Sequence, residues 1–192
     1  TVLEWVAPAA GTVDVAYDCA QMYNVPAGRN DAVSFQLVHF DAATPGNTVL
    51  IPRQGLTRDM GWVPYTAKGV HVARGDKIHL VWDDWDGTGY DDGHTRGKLT
   101  LTTPDGRATE YWPTGEFATK QGGTSGVWFY RFDEDVTLNA DGNYPELKVQ
   151  GHPQGPSGGY SGADWLWFPG NETKLNPWQG NSDPNAGRAW AC

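Results

Sequence analysis

Five carboxylates fall within ten residues at 83–92, where the chain reads Asp83-Asp84-Trp85-Asp86-Gly87-Thr88-Gly89-Tyr90-Asp91-Asp92. Asp83, Asp84, Asp86, Asp91 and Asp92 offer hard oxygen ligands, and the two glycines let backbone carbonyls turn inward. Calcium takes about six to eight such oxygens in flexible geometry, so this stretch predicts a bound calcium ion. The alternative is a solvated acidic turn beside a strand. The stretch is not an EF-hand, because no Glu stands at its twelfth position. A weaker second candidate runs through Asp133, Glu134, Asp135, Asn139, Asp141, Gly142 and Asn143.

The aromatic residues suggest a different chemistry. The chain holds 10 Trp, 8 Tyr and 6 Phe, and several stand among Gly, Asn and Asp. Trp85, Tyr90, Trp112, Tyr160, Trp165, Trp167 and Trp178 are of this kind. Pyranose C–H faces pack on such rings while neighbouring Asp, Asn and Arg satisfy hydroxyls. The competing reading is that aromatic residues fill a small core. The five histidines form no motif, although His71 and His79 are placed on neighbouring strands of one expected hairpin. No P-loop or H-E-x-x-H occurs, and no pair of carboxylates stands out for glycoside hydrolysis. No catalytic residue is assigned.

Composition limits the partners. The 192 residues carry 23 acidic and 14 basic side chains, a formal charge of −9, with no Lys/Arg cluster. A phosphate backbone would be repelled, so nucleic acid is excluded as an expected partner. No apolar run approaches the roughly 18 residues of a membrane helix. Gly and Pro number 25 and 13, a share below that of low-complexity chains, and the aromatic content argues against disorder.

The elements that must position these side chains are strands. Helical spacing is nearly absent, and short β-runs recur at 2–6, 12–17, 32–40, 48–51, 69–73, 77–82, 98–102, 127–132, 146–149 and 165–168. Several alternate: Val13, Val15 and Tyr17 oppose Thr12, Asp14 and Ala16. Val33, Phe35, Leu37 and His39 oppose Ser34, Gln36, Val38 and Phe40, and Ile78, Leu80 and Trp82 oppose Lys77, His79 and Val81. One buried and one solvated face is the antiparallel pattern. About ten such strands predict an all-β antiparallel sandwich of jelly-roll type, with little helix. Residues 1–192 are expected to form one domain: a strand-dense half at 1–102, a connector at 103–126 and a loop-rich half at 127–192 that completes the sandwich.

The stretch Trp5-Val6-Ala7-Pro8-Ala9-Ala10-Gly11-Thr12-Val13 resembles the W-x-A-P-x-x-G-T-V strand–turn–strand of jelly-roll, carbohydrate-binding-module-like domains of secreted bacterial proteins. Ala32-Val33-Ser34-Phe35-Gln36-Leu37 and the pair Val70-His71-Val72-Ala73-Arg74-Gly75-Asp76-Lys77-Ile78 resemble later strands of that family. Gln121-Gly122 through Trp128-Phe129-Tyr130 looks like the family's opening strand, and 183–190 like the lead-in to the W-x-A-P strand. The halves therefore read in circularly permuted order, with Cys192 placed where it would run into Thr1.

That order bears on the cysteines, Cys19 and Cys192. With residues 8–11 as a hairpin turn, the residue before Thr1 faces Cys19, so the permutation implies a Cys19–Cys192 disulfide within or between chains. The resemblance implies a secreted, extracellular, non-catalytic carbohydrate-binding module whose partner is a polysaccharide or other glycan. The alternatives are a structural unit that self-associates in an extracellular array, and a polysaccharide lyase or hydrolase.

Overall fold

The computed structural model describes residues 2–21, 32–44, 46–84, 93–113, 125–131, 142–144, 147–150, 166–169 and 189–190. In chain order the strands are β1 (Val2–Val6), β2 (Gly11–Gln21), β3 (Ala32–Phe40), β4 (Asn47–Thr57), β5 (Val63–Val72) and β6 (Lys77–Asp84). There follow β7 (Gly93–Thr102), β8 (Ala108–Tyr111), β9 (Trp128–Arg131), β10 (Leu147–Gln150), β11 (Leu166–Pro169) and β12 (Ala189–Trp190). Among the described residues the helical content is one 3-10 turn, Arg58–Met60.

Two antiparallel sheets face each other. Sheet A has the order β4-β3-β6-β1-β9 and sheet B the order β5-β2-β7-β8. The expected all-β antiparallel sandwich is what the chain builds. Alternation explains why it closes: Leu3 and Trp5 of β1 and Ile78, Leu80 and Trp82 of β6 point inward from sheet A. They meet Val13, Val15 and Tyr17 of β2 and Leu99 and Leu101 of β7. Trp5 and Trp128 are cross-strand partners in the core and fully buried, and Trp5 meets Tyr111 at a tilt, ring centroids 5.6 Å apart. The core-filling reading of tryptophan holds for these two.

Among the described residues, strands β10, β11 and β12 form a third, three-stranded sheet hydrogen-bonded into neither A nor B. From the loop-rich half, β9 completes sheet A beside β1. The connector at 103–126 contributes a strand the sequence reading missed, β8, which pairs with β7.

Two expected hairpins are arches instead. Strand β1 pairs with β6 and β9, while β2 lies in the other sheet between β5 and β7. Residues 7–10 therefore carry the chain from one sheet to the other. Residues 73–76 do the same between β5 and β6, with Gly75 at φ 92°. The two arches bond to each other: Ala7 N donates to Asp76 O (2.8 Å) and Gly75 N to Ala7 O (2.8 Å). Both stretches have turn chemistry, but turn residues reverse a chain without deciding which sheet receives it.

This overturns the register argument for the disulfide. Cys19 lies in β2 opposite Val63 and Thr95, not opposite a residue preceding β1. It is a buried free cysteine whose Sγ lies 4.0 Å from Thr95 Oγ1. Cys192 is outside the described residues. His71 and His79 are likewise on different sheets, the first exposed and the second buried.

Candidate functional site

Among the described residues, the outer face of sheet B presents an open polar surface. Alternation turns Asp14, Ala16 and Asp18 of β2 outward, with Thr66 of β5, Arg96 and Lys98 of β7 and Glu110 of β8. Tryptophans stand at two corners of this face. Trp62 immediately precedes β5 and is 36% exposed, and Trp112 immediately follows β8 and is 42% exposed. Strand geometry of ~4.8 Å between strands and ~3.3 Å per residue puts their backbones about 20 Å apart on a diagonal.

Each ring is fixed by ions. The Arg96 guanidinium lies over Trp62, 4.3 Å from the ring centroid, and Arg96 Nε donates to Asp18 Oδ2 at 3.0 Å. Lys98 Nζ lies 5.1 Å from the Trp112 centroid and pairs with Glu110. Trp112 Nε1 donates to Glu110 Oε2 at 3.2 Å. The Lys98 hydrogen bond is the main cause that holds the Glu110 carboxyl below its ordinary range. A cation against an aromatic face contributes about 0.5–1 kcal/mol at an exposed site, enough to bias the ring's orientation.

Gly97 lets β7 lie close against β2 beneath this face. Its φ is +134°, and a Cβ there would stand 2.1 Å from Ala16 O and 2.9 Å from the Tyr17 ring. A side chain at 97 would push β7 away from β2.

A groove of about 550 Å³ opens at the end of the sandwich where the arches meet, lined by Thr12, His39, Asp41, His71, Asp76 and Thr102 among others. Its acid and imidazole chiefly brace the arches. Asp76 is 3% exposed, accepts the amides of Ala42 and Ala73 at 2.9 Å each, and holds His39 Nε2 at 3.0 Å. Burial would raise the Asp76 pKa, but these amide and imidazole contacts outweigh it and hold the carboxyl below its ordinary range.

The predicted site residues divide as follows. Trp112 is exposed on the outer face of sheet B. Asp83 and Asp84 are strand residues of β6, paired with Ser34 and Val33 of β3, so the strand runs into the expected acidic loop. Trp167 is a strand residue of β11 opposite Val149 and Ala189. Trp85, Tyr90, Tyr160, Trp165, Trp178, Asp86, Asp91 and Asp92 lie outside the described residues. In the second acidic stretch, the Gly142 carbonyl and Asn143 Oδ1 both accept from Lys77 Nζ, at 3.2 and 3.0 Å. Those oxygens already hold a cation. Among the described residues no group of three or more His, Cys, Asp or Glu is placed to hold a metal.

Trp62 was missed by the sequence reading, although a signal exists. Val63, Tyr65 and Ala67 alternate as an inward row, and Pro64 between them is tolerated because β5 is an edge strand. Starting the strand at Val63 turns Trp62 outward.

Protein-family models, curated proteins and solved structures provide no match to the chain.

Proposed function

We propose that the chain is a non-catalytic glycan-binding module whose binding surface is the outer face of sheet B. The observation that carries this reading is the exposed pair Trp62 and Trp112, each ring steadied by a cation. Between them lies a floor of small residues and hydrogen-bonding ions. Aromatic side chains offer large apolar faces at low conformational cost, which suits the C–H face of a pyranose. Asp18, Arg96, Lys98 and Glu110 supply donors and acceptors for hydroxyls. The resemblance of the Trp5–Val13 and Val70–Ile78 stretches to carbohydrate-binding-module-like domains of secreted proteins supports the same reading, and with it an extracellular location.

A glycan array followed by titration calorimetry and a reducing-sugar assay tests the proposal. Saturable binding without release of new reducing ends is the expected result. Binding with turnover would favour the lyase or hydrolase alternative, and no binding to any polysaccharide class would overturn the reading.

Calcium at Asp83, Asp84, Asp86, Asp91 and Asp92 is a separate proposal, supported by the density of carboxylates there. A site that binds only the folded state raises stability by about 2.7 kcal/mol at a hundredfold excess over Kd. Thermal melts are expected to rise with calcium and fall back with EDTA. Identical melts would reduce the stretch to a solvated turn.

A further inference from the structure

The outer face of sheet A carries a buried polar cluster beneath a short covering segment. Glu4 of β1 and His79 of β6 are direct cross-strand partners, 1% and 0% exposed. His79 Nε2 meets Glu4 Oε2 at 2.9 Å. Arg131 of β9 donates to Glu4 Oε1 from Nη2 at 2.8 Å and from Nε at 3.1 Å. Lys77 Nζ stands 3.6 Å from Glu4 Oε2.

Residues 142–144 close over this cluster. Tyr144 is 6% exposed, packs with Val2 and Val81, and sets its ring edge-on to His79 at 5.5 Å. The Phe40 ring lies 4.6 Å from His79. Gly142, at φ +64°, passes so close to Phe40 that a Cβ would stand 2.6 Å from that ring. Lys77 holds the segment through Gly142 O and Asn143 Oδ1.

His79 Nδ1 is buried and has no hydrogen-bond partner. With Nε2–H given to the carboxylate, the neutral ring leaves Nδ1 as a bare acceptor. Proton uptake would make it an N–H donor between Tyr144 and Phe40 with no acceptor. It would also add a positive charge beside Lys77 and Arg131, where Glu4 is the carboxylate among the described residues. Among the described residues the facing groups are Glu4 from β1, Lys77 from β6, Arg131 from β9, the uncharged Val38 and Phe40 from β3, and Asn143 and Tyr144 from the covering segment. A buried donor without an acceptor is costly. Water reaching Nδ1 removes that cost, and lifting the segment admits it.

We propose that residues 142–144 are an acid-released strap: a proton taken up by His79 frees the segment from sheet A while both sheets stay folded. Burial, with Lys77 and Arg131 adding to it and Glu4 opposing it, holds His79 below its ordinary pKa, so the closed form resists the proton, as a switch of this kind requires. Release would uncover the apolar strip of Val2, Val81 and Phe40.

Proton NMR of the full chain with labelled aromatic and methyl groups reads this directly. The cross-peak between the Tyr144 ring and the Val81 methyls is expected near pH 7.5 and lost near pH 5, while the Trp5–Tyr111 core cross-peak persists at both. His79→Gln keeps a donor for Glu4 but takes no proton, and is expected to keep the strap cross-peak at both pH values. A wild-type cross-peak unchanged by pH overturns the proposal, and so does simultaneous loss of the core cross-peak or loss in H79Q. If H79Q does not fold, the midpoint of strap release must coincide with the His79 ring titration in the wild-type chain. Separate midpoints overturn the proposal.

Discussion

The two outer faces of the sandwich place acids beside bases on neighbouring strands, with opposite consequences. On sheet B, Arg96 and Asp18 are 58% and 36% exposed, and their contact runs beside an open tryptophan. On sheet A, Glu4 and His79 are sealed under Tyr144 and Phe40, with Arg131 16% exposed. Water screens the first pair, which leaves its groups able to exchange partners with a ligand. The second set is removed from water, so each member depends on the others. One face is open to water and the other is closed to it.

Removing one acid from each face should separate them most strongly. Glu4→Gln removes the buried anion that His79, Arg131 and Lys77 contact, and breaking a buried pair costs about 3–5 kcal/mol. Asp18→Asn removes an exposed partner and should cost less than about 1 kcal/mol. Urea denaturation of the two variants measures both. Equal losses would break the comparison.

The next effect is acid sensitivity. His79 is held below its ordinary 6.5, so the folded chain binds that proton more weakly than the unfolded chain. Stability is therefore full above about pH 6.5 and falls as pH drops below it. Burial alone would raise Glu4, but His79 and Arg131 outweigh it and lower its pKa from 4.5. That contribution is present above 4.5 and is lost as pH falls toward the folded value. Urea midpoints taken from neutral to acid should fall in this order, and H79Q should flatten the upper part of the curve. A midpoint independent of pH would contradict the assignment.

The smallest effect concerns Cys19. Burial pushes its thiol up to about 12, so near pH 8 the native thiol should not react with a thiol reagent on the time scale of the unfolded chain. Fast native reaction would mean that β2 opens at Cys19.

What the sequence revealed about these faces follows from what alternation encodes. It placed β1 and β3 at their observed bounds and turned Val13, Val15 and Tyr17 inward, because a period of two reports one buried side. It also set Val38 and Phe40 opposite Val33, Phe35 and Leu37, and His79 and Val81 opposite Ile78, Leu80 and Trp82, in a pattern of one buried and one solvated face. In the fold, Val38, Phe40, His79 and Val81 are buried, and the 142–144 segment covers the region around Phe40, His79 and Val81 from more than sixty residues away in sequence. Local pattern does not report a cover supplied from a distance. The same limit explains residues 8–11 and 73–76. Their Pro, Gly and Asp mark reversals, yet the pairing of β1 with β6 rather than β2 is decided by which inward rows fit together. On sheet B, Trp112 was legible as an aromatic in a turn-rich stretch, whereas Trp62 required the start of β5.

The central claim is that the outer face of sheet B, and not the end groove or sheet A, receives a glycan. Amide and indole shift mapping during titration with the best array ligand tests it most directly, read beside Trp62→Ala and Trp112→Ala. The largest shifts are expected at Trp62, Arg96, Lys98 and Trp112. Each substitution should weaken binding at least about tenfold, near 1.4 kcal/mol, with the urea midpoint nearly unchanged. Shifts centred on His39, Asp41 and His71, or full affinity in both variants, would contradict the account.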